Sequence, residues 1–96
     1  MILERAIFAI KHGMAEQFAN AFALARPYIE AAKGFHKLEM RQGIEKPDTW
    51  LLTVWWESLD DHMKGFRETD GFVQWRHHLG PFFDGPPAVE HYAETL

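Results

Sequence analysis

The stretch Trp50–Pro87, WLLTVWWESLDDHMKGFRETDGFVQWRHHLGPFFDGPP, decides how the chain folds. Its opening has no polar face. Trp50, Leu52, Val54 and Trp56 alternate with Leu51, Thr53 and Trp55, the pattern of a strand covered on both sides. Ser58 then opens a helix, and Ser58-Leu59-Asp60-Asp61 has the loose form of a capping box. Leu59, Met63 and Phe66 follow at helical spacing, Thr69 and Asp70 supply a fresh N-cap, and Phe72, Trp75 and Leu79 make a second stripe. Gly80-Pro81 stops that helix, Phe82-Phe83 packs back, and Gly85-Pro86-Pro87 leads out. All four tryptophans lie in this stretch, with His62, His77 and His78 inside it and His91 just beyond, so it should supply much of the wall of any pocket.

On the N-terminal side, Ile2 to Lys11 reads as another strand without a polar face: Ile2, Ala6, Phe8 and Ile10 oppose Leu3, Ile7 and Ala9. Gly13 ends it. Met14 to Ala25 has helical spacing, with Met14, Phe18, Phe22 and Ala25 on one stripe. Pro27 removes a backbone donor and crowds the preceding turn, which predicts a break and a short second piece, Pro27 to Lys33, capped by Gly34. Phe35 to Gln42 sets Lys37, Glu39 and Arg41 against His36, Leu38 and Met40, a half-exposed strand at or near a sheet edge. Gly43 to Asp48 is the turn of a hairpin, and Ala88 to Thr95 the last strand. The order βαββαβ predicts an α+β, ferredoxin-like domain over residues 1–96, with an antiparallel sheet and both helices on one face.

That arrangement leaves a problem. Helices can cover only one face, yet the first and third strands are apolar on both, and an exposed face carrying Trp and Leu would be a large sticky patch. A second copy of the chain packed on that face resolves it, which predicts a homodimer through the sheet. The chain has 96 residues, no cysteine, 47% apolar and 15% aromatic residues and a formal charge of −4. Disulfides and thiolate chemistry are excluded, and with no basic run neither nucleic acid nor an anionic membrane is an expected partner. The apolar stretches are too short to span a bilayer, and Glu4 and Arg5 interrupt the N-terminal one, so a signal peptide is not expected and a cytoplasmic protein is.

The βαββαβ order combines with the strand-to-helix Trp-Glu-Ser at Trp56–Ser58, the helix break Phe66-Arg67-x-Thr69-Asp70-x-Phe72 and the last strand Pro86-Pro87-x-Val89-Glu90-His91-Tyr92. In these features, over essentially its whole length, the chain resembles the antibiotic biosynthesis monooxygenase (ABM) domain family of the dimeric α/β-barrel superfamily. That family includes cofactor-independent oxygenases of anthrones and quinols, haem-degrading enzymes and members of unassigned role. In the haem-degrading branch an Asn on the first strand, a Trp on the helix and a His further along form the site. Aligned on the helix break, the Trp position is Phe66 and the His position Arg76, and the first strand holds no Asn. The resemblance therefore points away from haem degradation and towards oxygenation of a small aromatic substrate without flavin or metal.

Such chemistry needs a dry, aromatic-lined site, a group to accept a proton and polar contacts for phenolic oxygens. Trp56, Phe66, Trp75 and Phe83 are the candidate walls, His62 or His78 the candidate proton acceptor, and Arg5, a charge within an apolar strand, a candidate contact for an anionic ligand. Each has a plainer reading. Phe66, Phe72 and Trp75 at helical spacing also suit a core, and Phe72 is assigned there. His62, beside Asp60 and Asp61, is expected at the surface; His78 is expected to turn inward in preference to His77. His36 and His91 are assigned structural roles, His91 at the dimer contact, and Arg5 is open to a salt bridge. No phosphate-cradling glycine loop is present, and His77-His78 alone is a weak metal signal, so no cofactor or metal is expected. The other function class consistent with these residues is a non-catalytic, stress-related or small-molecule-binding dimer using the same cavity.

Overall fold

A computed structural model describes residues 1–96. Four strands, β1 (Ile2–Ala9), β2 (Phe35–Gln42), β3 (Thr49–Trp56) and β4 (Ala88–Tyr92), form one antiparallel sheet in the order β2-β3-β1-β4. Two helices, α1 (Ala15–Glu30) and α2 (Asp70–Leu79), lie on one face of it. This is the ferredoxin-like plan, with the half-polar β2 at an edge.

Alternation dictates which residues meet. In β3, Trp50, Leu52, Val54 and Trp56 are buried and their neighbours half-buried. The β1–β3 register opposes Phe8 to Trp50, Ala6 to Leu52, Glu4 to Val54 and Ile2 to Trp56 on the helix side. Leu3, Ile7, Leu51 and Trp55 fall on the open side, joined there by Tyr92 of β4 opposite Leu3. The helix-side core is closed by rings: Phe18 of α1 packs on Trp50 at 5.1 Å, and Phe83 stacks on Phe8 at 5.1 Å and 12°.

Three elements depart from the sequence reading. Helix α1 is continuous through Pro27. The ring sits on the exposed side, and Ala25 and Ile29 before and after it are both buried, so packing outweighs the lost hydrogen bond. Strand β2 shifts register between Phe35 and Lys37, and His36 is thereby turned to solvent, where its Nε2 meets Glu57 at 2.6 Å.

The third departure shapes the site. Ser58 does cap the chain after β3, accepting from the Asp61 N–H at 3.2 Å and donating to the Asp61 carboxylate at 3.0 Å. The chain then makes a π-helical turn, Asp61–Gly65, and a 3₁₀ turn, Phe66–Glu68, before Thr69 caps α2 by accepting from the Phe72 N–H. The wider turn rotates Leu59 and Met63 outward and His62 inward, so the buried pair is His62 and Phe66. Gly34 makes room for this: at φ +81° it takes a left-handed conformation, and a Cβ there would lie 2.2 Å from the Asp61 carboxylate.

If packing holds α1 straight against its proline, Pro27→Ala restores a helical hydrogen bond and should raise stability by about 1–2 kcal/mol, part of the gain being offset by a freer unfolded chain. Chemical denaturation checks this; a less stable variant would contradict it.

Candidate functional site

Between the helix side of the sheet and the segment after β3 lies a cavity of about 560 Å³, the size of a small-molecule site. Its walls are apolar and aromatic, with Ala6, Phe8 and Leu52 from the sheet and Phe66, Phe72 and Trp75 from the helical segment. Phe83 and the Gly85-Pro86-Pro87 exit close one end.

Two polar groups lie deep in it. Glu4 is only 5% exposed and His62 only 4%. The Trp56 indole N–H donates to Glu4 Oε1 at 2.9 Å, and His62 Nε2 stands 3.3 Å from the same oxygen. The His62 ring stacks on Trp56 at 5.2 Å and 20°, which fixes its orientation. Its other nitrogen, Nδ1, is 2.8 Å from Nε2 of His91, the residue opposite Glu4 in the β1–β4 register. The result is a continuous line, Glu4–His62–His91, running from the cavity to the edge strand.

Burial sets the charge of each member. Taking a carboxylate out of water favours its protonated form, and that effect raises Glu4 from 4.5 to about 7 against the opposing pull of the Trp56 hydrogen bond and Arg67. Burial likewise disfavours an imidazolium, and with His91 and Arg67 nearby His62 falls from 6.5 to about 4. His91 is lowered too, first by burial and then by Arg67. Around neutral pH both histidines are therefore uncharged, and Glu4 is the member poised between its two forms.

At the cavity rim stand Arg67 and Arg76, on either side of the helix break. Their guanidinium carbons lie 5.8 and 5.9 Å from the Phe72 ring, and neither meets a carboxylate. The other arginines are matched, Arg5 with Glu90, Arg26 with Glu30 and Arg41 with Glu39.

The structure sorts the residues singled out from the sequence. Phe66, Trp75, Phe83 and His62 line the cavity. Trp56 does not: it sits behind His62, fully buried, and holds Glu4. Phe72, assigned to the core, is a wall residue. His62 is buried where surface exposure was expected. His78 lies outside the cavity, stacked against Tyr28 of α1 at 6.0 Å, since α2 gives its inward positions to Trp75 and Leu79. Arg5 is on the opposite face of the sheet, paired with Glu90 and near the Tyr92 ring, because it alternates with the inward Glu4 and Ala6. His91 faces the helices and not the open face.

Glu4, Arg67 and Arg76 were missed. Glu4 shares the parity of Ile2, Ala6 and Phe8, so alternation already placed a carboxylate on the buried face.

The fold and this aromatic cavity define a small α+β protein of ferredoxin-like topology. The sequence pattern of antibiotic biosynthesis monooxygenases matches residues 1–78, and the chain belongs to that family. It is 35% identical to YczJ of Bacillus subtilis, an uncharacterized protein, over 99% of this chain and all of that one. A crystal structure from Bordetella bronchiseptica, assigned to the same family, superimposes with a TM-score of 0.94 at 36% identity, covering 99% of this chain and 97% of the other. SnoaB of Streptomyces nogalater, a cofactor-independent oxygenase, shares the fold with a TM-score of 0.80 at 17% identity, over 99% and 95% of the two chains.

The sign of the Glu4 effect on stability is set by its raised value. The protonated form suits the folded state, so its contribution is fully present below 4.5 and is lost as pH rises through about 7. His62 runs the other way, its contribution being present above 6.5 and lost as pH falls towards 4. Glu4→Gln isolates the first effect: relative to wild type, the variant should gain roughly 3 kcal/mol between pH 4.5 and 7. Urea denaturation across that range checks it; a difference that does not change with pH would contradict it.

Proposed function

We propose that the protein is a cofactor-independent monooxygenase of a small aromatic substrate of the quinol or anthrone type, with Glu4 as the proton acceptor. One observation carries this reading: a carboxylate that titrates near neutrality lies at an aromatic-lined cavity big enough for such a ring. Placing the base on Glu4 replaces the expectation of His62 or His78. His62, held near 4, is too weakly basic to take a phenolic proton at neutral pH, and His78 does not reach the cavity.

These positions support the following chemistry. Ionised Glu4 removes a proton from the substrate, leaving an anion whose charge spreads over the ring and its oxygens. Arg67 and Arg76, without carboxylate partners, stabilise that charge from the rim. The electron-rich anion passes one electron to dioxygen, the two radicals combine into a peroxide anion, Glu4 returns its proton to that anion, and the hydroperoxide loses water to leave a carbonyl. For an anthrone the sum is ArCH₂ plus O₂ giving ArC=O plus H₂O, with dioxygen the oxidant and the ring methylene carbon oxidised. Phe66, Phe72 and Trp75 hold the ring plane and keep bulk water from the anion.

Two copies are further inferred to pack sheet to sheet. Leu3, Ile7, Leu51, Trp55 and Tyr92 form a contiguous apolar patch on the face away from the helices, with Arg5 and Glu90 neutralising one another within it. This reading gives Arg5 a place in the dimer seam and not in substrate binding. Light scattering should show a dimer at micromolar concentration, and a stable monomer would contradict it.

Oxygen uptake with a panel of anthrones and hydroquinones, with no metal or flavin added, tests the activity. Turnover is expected, with kcat lowered about 10²–10⁴-fold in Glu4→Gln. Ligand-induced thermal stabilisation with no turnover above buffer would contradict it in favour of a binding module.

A further inference from the structure

We propose that Glu4, His62 and His91 form a proton relay that joins the floor of the cavity to solvent at the edge strand β4. The inference rests on Glu4 as the proton acceptor and adds how Glu4 becomes ionised beneath a bound ligand. Near neutrality Glu4 stands between its two forms, and where it is protonated that proton must leave before Glu4 can act as a base on a bound ligand. A ligand in the cavity would cover Glu4 on that side. The route on the other side is already built. His62 Nε2 is 3.3 Å from Glu4 Oε1, and His62 Nδ1 is 2.8 Å from His91 Nε2. His91 is half-buried on the outermost strand, and its Nδ1 has no protein partner.

Two proton arrangements fit these distances. With Glu4 protonated, its O–H points to His62 Nε2, His62 carries its proton on Nδ1 and donates to His91 Nε2, and His91 carries its proton on Nδ1. With Glu4 ionised, His62 carries its proton on Nε2, facing Glu4, and accepts at Nδ1 from a proton on His91 Nε2. Passing from the first to the second moves the Glu4 proton to His62 Nε2, the His62 Nδ1 proton to His91 Nε2, and the His91 Nδ1 proton to water. One proton leaves the protein, each ring gives up one proton and gains another so that it stays neutral, and no electrons move.

The surroundings favour this neutral shuttle over a charged one. The groups facing the line are Trp56 from β3, which donates only to Glu4, Arg67 from the 3₁₀ turn and Arg76 from α2 on the cavity side. Burial opposes an imidazolium on His62 or His91, and Arg67 does the same. No carboxylate other than Glu4 touches either ring to stabilise one. The stack of His62 on Trp56 keeps both of its nitrogens aimed along the line.

The relay can be tested without a substrate. Histidine ring nitrogens of the ¹⁵N-labelled protein are followed by long-range ¹H–¹⁵N correlation as pH is taken through the Glu4 titration near 7. The expected result is that His62 and His91 switch together, each from the Nδ1–H to the Nε2–H form, with both rings neutral throughout. Glu4→Gln, which cannot ionise, should abolish the switch, and His91→Gln, at a half-buried position that tolerates change more readily, should uncouple His62 from it. Rings that keep one tautomer through the titration, or a ring that becomes an imidazolium within it, would overturn the relay. A switch without turnover on the quinol panel supports the relay and overturns only the oxygenase reading; turnover without a switch does the reverse.

Discussion

The Glu4 carboxyl is held by the Trp56 indole on one side and the His62 ring on the other, and much of the site depends on that arrangement. A buried carboxyl with no partner would be costly. Here a donor at 2.9 Å lowers the cost, while burial still dominates and leaves the group half-ionised near neutrality. The arrangement is delivered by register. Pairing of β1 with β3 puts Glu4 and Trp56 on the same face, and pairing of β1 with β4 puts His91 opposite Glu4. Only His62 comes from outside the sheet, and the π-helical turn is what brings it in.

The sheet therefore divides its work between two faces. The helix side carries the cavity, the acid and both histidines. The open side carries Leu3, Ile7, Leu51, Trp55 and Tyr92, with the Arg5–Glu90 pair among them. Because side chains alternate with period two, adjacent residues of β1 belong to different functions: Glu4 faces the cavity and Arg5 the open face. A one-residue slip would exchange them, so the apolar burial that fixes register also fixes which charge meets the ligand.

Much of this was legible in the residues. The alternation of Trp50–Trp56 defined the central strand, the Thr69-Asp70 signal marked the start of α2, and the helix break carried the family resemblance. Parity also placed Glu4 among Ile2, Ala6 and Phe8, although Arg5 was the charge that drew notice. Sequence periodicity could not show the π-helical turn. A 3.6-residue period puts Leu59 and Met63 inward with Phe66, and only a wider turn exchanges them for His62. The bulge that exposes His36 and the packing that carries α1 through Pro27 are likewise set by tertiary contacts. Arg67 and Arg76 look like ordinary solvated charges until the fold sets them at one rim without carboxylates.

Everything proposed for the cavity requires Glu4 to be a buried acid that changes charge near neutral pH. Its carboxyl carbon can be followed by ¹³C NMR on glutamate-labelled protein, assigned by its disappearance in Glu4→Gln. A midpoint near 7 is expected for this one carboxyl, well above the ordinary glutamate value of 4.5. A midpoint at or below that ordinary value would contradict it, and with it the assignment of Glu4 as the base.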